Sequence, residues 1–168
     1  MVIPTQSLRE EHKELMPHIE MLRTVADAIG AMPIDTLRQR VYDVYTFLEH
    51  HLLPHAQAEE WALYPRVGTL MGASGATATM SRDHVEIGWL TEELASLRMQ
   101  LSEKSVSGSQ EKALRRVLYS LYAIVRLHFA KEEEIYLPLL DARLTPGEAQ
   151  ELFEAMETAA KEAKIKLK

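Results

Sequence analysis

Apolar side chains along this chain recur at steps of three and four residues and do not alternate with polar ones over any strand-length run. Steps of three and four place side chains on one face of an α-helix, whereas alternation is typical of a β-strand. The first such stripe, which includes one histidine, consists of Leu8, His12, Leu15, Ile19, Leu22, Ala26 and Ile29. The pattern therefore predicts an all-α fold.

Helix caps and helix breakers divide the chain into five predicted helices. Ser7 and Glu10 form a capping box at the first start, and Asp35 caps the second helix. The Thr-Pro-Gly-Glu run at 145–148 starts the fifth. Pro54 lies inside the second helix and predicts a kink there. The predicted helices cover about residues 8–29, 35–65, 80–103, 110–141 and 146–166, with a linker rich in Gly, Ser and Thr at 68–79.

The number and lengths of the predicted helices indicate how they pack together. Four amphipathic helices with short connections indicate an up-down-up-down four-helix bundle over about residues 8–141. The additional C-terminal helix, about 146–166, is expected to pack outside it. With 168 residues, 46% of them apolar, the chain is long enough for a core and is most simply a single domain over 1–168.

Composition and charge exclude several classes of protein. A formal charge of −6 argues against a nucleic-acid partner, which would need a basic surface. The chain has no cysteine, which excludes disulfides, thiolate catalysis and cysteine-ligated metals. It shows neither an apolar signal segment nor a run of about 20 apolar residues that would span a membrane. We therefore expect a cytoplasmic protein with no membrane partner.

One sequence motif occurs twice in the chain. Residues 55–65 read HAQAEEWALYP, and residues 128–138, which start 73 positions later, read HFAKEEEIYLP. Each copy begins His-x-x-x-Glu-Glu and has a proline ten residues after its histidine. His12 and His84 are 72 residues apart. Each half of the chain is therefore a predicted helical hairpin with one early histidine and one late His-x-x-x-Glu, and two facing hairpins would bring these side chains together.

Six polar side chains lie on stripes that should be apolar: His12, His55, Glu59, His84, His128 and Glu132. A buried carboxylate without a partner destabilises a fold, and two neighbouring carboxylates repel each other. A divalent cation removes both problems because it neutralises the acids and accepts imidazole nitrogens. Residues four apart lie about 40° around and about 6 Å along a helix, so each His-x-x-x-Glu pair can reach one ion. One such pair is usually a surface contact, but the full set predicts a metal site.

The donor types narrow the choice of metal. Imidazole and carboxylate ligands without any thiolate suit iron, manganese or zinc, and carboxylates that can bridge favour two ions. The Glu-x-x-His pattern of ferritin-like di-iron proteins is absent, because no histidine has a glutamate three residues before it. The His-Glu-x-x-His pattern of zinc proteases is absent as well.

Four segments together resemble the hemerythrin-like family, also called the HHE cation-binding domain. They are EEHKEL around His12, HAQAEEWALYP, RDHVEI around His84, and HFAKEEEIYLP. The resemblance covers about residues 8–141. It implies a pair of iron ions joined by an oxo, hydroxo or water bridge, with zinc or manganese less favoured. The implied ligands are Glu59 and Glu132 as bridges, His12 and His55 at one ion, and His84 and His128 at the other.

The chain departs from the oxygen-carrying hemerythrins on its third helix. Those proteins have two histidines four residues apart there, whereas the positions four either side of His84 are Met80 and Gly88. One ion would therefore lack a protein ligand. The candidates to replace it are His51, Tyr136, Glu133 and Glu60. For each, a role in packing or hydrogen bonding near the site is the simpler interpretation, and the same holds for Tyr64.

The incomplete ligand set leaves positions for a small molecule. The main hypothesis is a non-haem di-iron protein that binds or senses O₂, peroxide or nitric oxide, with peroxide decomposition as a candidate activity. The alternative is an iron-responsive or iron-storage module without catalysis. A third hypothesis, a metal-free histidine phosphotransfer bundle, needs one exposed histidine, whereas the four site histidines lie on apolar stripes.

Overall fold

The computed structural model describes residues 3–102 and 104–166, and those ranges are helical throughout with short connections and no strand. The all-α prediction is confirmed. The α-helices are α1 (Gln6–Ala28), α2 (Ile34–Phe47), α3 (Leu53–Ala58), α4 (Tyr64–Met71), α5 (Ala78–Gln100), α6 (Gly108–Lys131), α7 (Leu137–Arg143) and α8 (Pro146–Lys166). Three π-helical turns, Leu48–Leu52, Glu59–Leu63 and Glu132–Tyr136, join α2 to α3, α3 to α4 and α6 to α7.

Two long helices continue past their prolines because a π-helical turn precedes each proline. A proline lacks an N–H and its ring collides with the carbonyl four residues before it, so a regular helix breaks there. Each of these turns ends two residues before a proline, and the intervening residue donates its N–H to the carbonyl five residues back. Helical structure is therefore continuous over 34–71 and over 108–143.

The prediction that the second helix ends near Pro65 is wrong for this reason. The helix continues to Met71 and stops at Gly72, which has the positive φ of 65° that glycine adopts easily. The linker predicted at 68–79 is correspondingly shorter, since α5 begins at Ala78. The predicted end of the third helix at residue 103 lies outside the described residues, as do residues 1, 2, 167 and 168.

Two of the predicted helix starts are wrong in detail. Helix α1 begins at Gln6, so Ser7 lies in its first turn and forms no side-chain cap. Instead, the Thr5 backbone N–H donates to Asp141 Oδ1 at 2.9 Å, which ties the start of α1 to α7. Helix α2 begins at Ile34, which places Asp35 in the first turn, where its charge suits the helix dipole.

The predicted start of the C-terminal helix is confirmed. The Glu148 N–H donates to Thr145 Oγ1 at 3.3 Å, and the Thr145 N–H donates to Glu148 Oε2 at 2.9 Å, which completes a reciprocal capping box. Arg66 also donates to Glu148, at 2.6 Å, so the cap is fastened to α4.

Helix packing brings distant parts of the chain together. Helix α1 packs against α6 and α2, and α5 packs against the same two helices. Helix α8 lies along α3 and the π-helical turn Glu59–Leu63. None of the described helices is long and apolar enough to cross a membrane. The cytoplasmic location and the single-domain organisation stay predictions.

The buried apolar residues form two clusters rather than one. The larger cluster includes Ile19, Leu22 and Leu121, and the smaller one includes Leu63 and Leu140. On α1 and α5 a histidine lies between residues of the smaller cluster and residues of the larger one, and Glu132 lies between Phe129 of the larger cluster and Tyr136 of the smaller one. A polar layer therefore divides the apolar interior.

Candidate metal centre

The polar layer consists of the six residues that the sequence predicted. Helices α1, α3, α5 and α6 each contribute one histidine, and two π-helical turns open with the two glutamates: His12, His55, His84, His128, Glu59 and Glu132. Both glutamates have no exposed surface, and His84, the least buried of the histidines, has a side chain only 9% exposed. Such burial counts against the phosphotransfer hypothesis, which requires an accessible histidine.

Glu59 lies between the two pairs of histidines. Its Oε1 is 2.9 Å from His55 Nε2 and 3.8 Å from His12 Nε2. Its Oε2 is 3.2 Å from His84 Nε2 and 3.7 Å from His128 Nε2. One carboxylate therefore faces all four imidazoles, with a different oxygen toward each pair.

Glu132 occupies a matching position. Its Oε2 is 3.5 Å from His12 Nε2, and its Oε1 is 3.3 Å from His128 Nε2. The donor atoms form two groups in which all atoms lie within 4.8 Å of one another: one of His12, His55, Glu59 and Glu132, the other of Glu59, His84 and His128.

Several of these buried atoms lack a hydrogen bond. His55 Nε2 and Glu59 Oε1 are close, but the imidazole is not oriented to donate to that oxygen. Among the described residues, no partner is found for His12 Nε2, His55 Nε2, Glu59 Oε1, Glu59 Oε2 and Glu132 Oε2. A buried polar atom without a partner is costly, so this concentration of them requires an explanation.

The other nitrogen of each histidine is well satisfied. Every Nδ1 lies within hydrogen-bond distance of a carboxylate, and we call these four acids the brace carboxylates. The pairs are His12 with Glu133 (2.8 Å), His55 with Glu11 (3.0 Å), His84 with Glu60 (2.7 Å) and His128 with Asp83 (3.1 Å). An ionised carboxylate only accepts, so each Nδ1–H donates and each Nε2 is directed into the site.

Three of the four brace carboxylates have a further partner that holds them in place. Glu133 accepts from Arg9 at 2.5 Å, and Glu60 accepts from the Ser81 hydroxyl at 2.8 Å. Lys131 donates to Asp83. Metal-binding histidines in proteins generally have such an acceptor on the second nitrogen, which fixes the ring and raises its basicity.

Two of the brace carboxylates, Glu60 and Glu133, are among the residues that the sequence suggests near the site, whereas Glu11 and Asp83 are not. The one sequence feature that could indicate these two acids is their position, because Glu11 immediately precedes His12 and Asp83 immediately precedes His84. Neither acid braces its neighbour; each braces the later histidine of its own half.

None of the four candidates for an additional ligand reaches the donor cluster with a free donor atom. Glu60 and Glu133 are brace carboxylates. The Tyr136 hydroxyl donates to the Ala76 carbonyl at 3.2 Å. His51 is exposed and lies beside the Phe47 ring.

Tyr64 does reach the cluster. Its hydroxyl donates to Glu132 Oε1 at 2.8 Å and lies 3.2 Å from His128 Nε2 and 3.5 Å from His84 Nε2. Its side chain is buried, and burial together with the charges of Glu59 and Glu132 raises the pKa of the phenol well above its usual value.

The donor set fits a pair of metal ions. Ligand atoms about 2.1 Å from one ion, at right angles, lie about 3.0 Å apart. Of the six distances between Nε2 and carboxylate oxygens above, three lie close to that value, at 2.9, 3.2 and 3.3 Å, and the other three are 3.5 to 3.8 Å. A cation between them would also satisfy the unpartnered nitrogens and oxygens at once.

The comparison with protein families agrees with this geometry. The family model for the hemerythrin HHE cation-binding domain matches residues 3–140. The chain belongs to the hemerythrin HHE cation-binding family. No curated protein matches the chain, and no solved structure does. The family identifies a metal-binding protein, and members of the hemerythrin family typically hold iron.

In this hemerythrin-family chain, the buried glutamates favour the protonated imidazoles of His55 and His128. Burial lowers the pKa of His128, but the carboxylates of Glu132 and Glu59 outweigh that effect and raise it to about 10. The pKa of His55 is likewise raised well above its usual value by Glu59 and Glu11, against the effect of burial. Burial raises the pKa of Glu59, but the His55 charge and neighbouring imidazoles hold it well below its usual value. Metal binding must therefore displace protons.

We predict that the metal-free chain loses stability as the pH rises from 7 to 10. The pKa of His128 in the folded chain lies above the unfolded value of about 6.5, so its proton stabilises the fold fully only below that pH. The loss should approach about 1.4 kcal/mol per pH unit for each proton that only the folded chain retains. Urea unfolding at several pH values measures it.

Two variants separate this effect from general alkaline destabilisation. His128→Gln should flatten the slope, whereas His50→Gln, which changes an exposed histidine, should retain it. A wild-type stability that stays constant or increases between pH 7 and pH 10 would show that the protons do not stabilise the site.

Proposed function

We propose that this protein holds two iron ions and uses them to bind or sense a small ligand, namely O₂, peroxide or nitric oxide, with peroxide decomposition as a candidate activity. In this proposal Glu59 and Glu132 would hold both ions. The histidines divide into two terminal pairs: His12 with His55, and His84 with His128. The observation that carries the proposal is that each glutamate directs one oxygen toward each pair.

The bound iron would supply redox chemistry toward small oxygen or nitrogen molecules. Two histidines and two carboxylate oxygens per ion leave further coordination positions open, as in non-haem iron sites that handle O₂. The chain's own contribution is to hold those donors rigidly. Phe129 stacks on His12 with ring centroids 4.3 Å apart, and the brace carboxylates fix the outer nitrogens.

A groove provides access from one side. A cavity of about 860 Å³ lies between the start of α1 and helix α8, and its walls include Glu11 and His55. Phe153, Met156 and Ala160 line its α8 side. A small ligand can cross a groove of this size, so the groove supports delivery to the ion proposed at His12 and His55.

The arrangement of helices proposed here is the up-down-up-down four-helix bundle. Its support is the closed cycle of packing, in which α1 contacts α2 and α6 while α5 contacts the same two helices. Helix α8 contacts α3 and the π-helical turn Glu59–Leu63, as expected for an additional helix outside the bundle.

A second candidate function is an iron-responsive or iron-storage module. The observation that favours it is the polar layer between the two apolar clusters, which ties metal occupancy to the interior packing. Circular dichroism and thermal melting of metal-free and iron-loaded protein separate the two functions. The main proposal predicts a metal-free chain that keeps its helices, whereas a folding-coupled module predicts extensive loss of helicity.

We predict that Glu132→Gln lowers the iron content of the aerobically purified protein from two ions per chain to at most one. The substitution keeps the side-chain volume but removes a buried charge that the ions need. Metal analysis and near-ultraviolet charge-transfer absorption measure the change.

The matched control is Glu134→Gln, which removes the same charge from an exposed side chain two residues away. It should leave iron content and absorption unchanged. Equal iron content in the two variants would contradict the bridging role, and a wild-type protein without iron would contradict the function itself.

We predict that Ala160→Trp slows the binding of azide, a small probe anion, to iron-loaded protein by about tenfold, equivalent to about 1.4 kcal/mol on the barrier. The indole would fill the groove beside α8. Stopped-flow absorption measures the rate. Ala155→Trp adds the same ring to an exposed position of the same helix and should not change it. Identical rates in the two variants would show that azide enters elsewhere.

A further inference from the structure

The two halves of the site differ at one position next to the donors. The 73-residue offset that relates His55 to His128 also relates Tyr64 to Leu137. Both residues are buried, and each follows a π-helical turn that begins with a site glutamate. The repeat is therefore symmetric in its six polar residues but has a phenol on one side and an aliphatic side chain on the other.

The π-helical turn explains how Tyr64 reaches the site. In a regular α-helix the residue five positions after Glu59 would lie about 140° around the axis. Here the Tyr64 N–H bonds to the Glu59 carbonyl, so the wider turn returns Tyr64 to the same face as Glu59. A proline follows directly, and it keeps the turn from closing as a regular helix.

The hydroxyl of Tyr64 lies among the donor atoms beside His84 and His128. It is 2.8 Å from Glu132 Oε1, 3.2 Å from His128 Nε2 and 3.5 Å from His84 Nε2. Those two nitrogens are 2.9 Å from each other. These separations of 2.8 to 3.5 Å are compatible with neighbouring ligands around a single metal ion, which lie about 3.0 Å apart. A tyrosine that only packed against the site would not need its hydroxyl within 3.5 Å of three donor atoms.

We propose that Tyr64 is a metal ligand and binds, through its phenolate oxygen, the ion held by His84 and His128. This inference rests on the proposed iron site. On binding, the phenol O–H bond breaks, an oxygen–metal bond forms, and the proton leaves to the solvent. Phenolate is a hard anionic ligand that stabilises ferric iron.

The consequence is an asymmetric pair of ions. The ion at His84 and His128 gains a fifth protein ligand and an additional negative charge. The ion at His12 and His55 keeps its open positions, and it is the one beside the groove lined by His55. The small ligand of the proposed function would therefore bind there, while Tyr64 favours the ferric state of the neighbouring ion.

Absorption and resonance Raman spectra of the iron-loaded full-length chain test this inference. Wild-type protein should show a visible charge-transfer band, and excitation in that band should enhance tyrosine ring vibrations that shift when the tyrosines are ring-deuterated. Tyr64→Phe should abolish the band while two irons per chain remain. The matched control, Tyr136→Phe, removes the other buried phenol and should retain the band.

Two irons with near-ultraviolet absorption but no ring-derived signal would refute the ligand and leave the proposed function standing. A chain without iron would refute both. Where Tyr64→Phe does not fold, ring-deuterated Tyr136→Phe protein decides, because Tyr64 is then the one buried tyrosine among the described residues. A deuterium shift supports the inference there, and its absence overturns it.

Discussion

The structure depends on the burial of two carboxylates. Glu59 and Glu132 have no exposed surface, and three of their four oxygens have no hydrogen-bond partner among the described residues. An uncompensated buried charge of this kind destabilises a protein by several kcal/mol, so positive charge must lie beside it. The imidazoles of His55 and His128 supply it as protons, and in the proposed state all four inward-facing imidazole nitrogens are ligands of two cations. The four brace carboxylates then direct those nitrogens inward and connect the centre to the protein surface.

This polar layer also determines how the interior is built. It lies between two apolar clusters, so the helices that supply it must be held on both sides of it. The π-helical turns also help to place side chains in this polar layer. Turns of this kind are rare and occur frequently at functional sites. Two of the three begin at Glu59 and Glu132, and the wider turn returns Tyr64 to the face of the helix that carries Glu59.

Much of this arrangement could be predicted from sequence because it is periodic. A charged or imidazole side chain on an apolar stripe is conspicuous, and the repeat of His55 and Glu59 at His128 and Glu132 made it more so. The features that could not be predicted from the sequence do not follow a periodic pattern. Glu11 and Asp83 resemble ordinary solvated acids at the start of a helix. Pro65 carries the usual signal of a helix end, and only the i→i−5 bonding of the preceding turn shows that the helix continues. That same turn reorients Tyr64, which a regular helical projection places away from Glu59.

The most direct test of the account is anomalous X-ray diffraction from crystals of the iron-loaded protein, recorded at the iron absorption edge. Two iron peaks are expected inside the polar layer, both in contact with Glu59 and Glu132. One peak should contact His12 and His55, and the other His84 and His128. A single peak, or peaks away from these carboxylates, would contradict the central claim that two buried glutamates bridge a pair of metal ions.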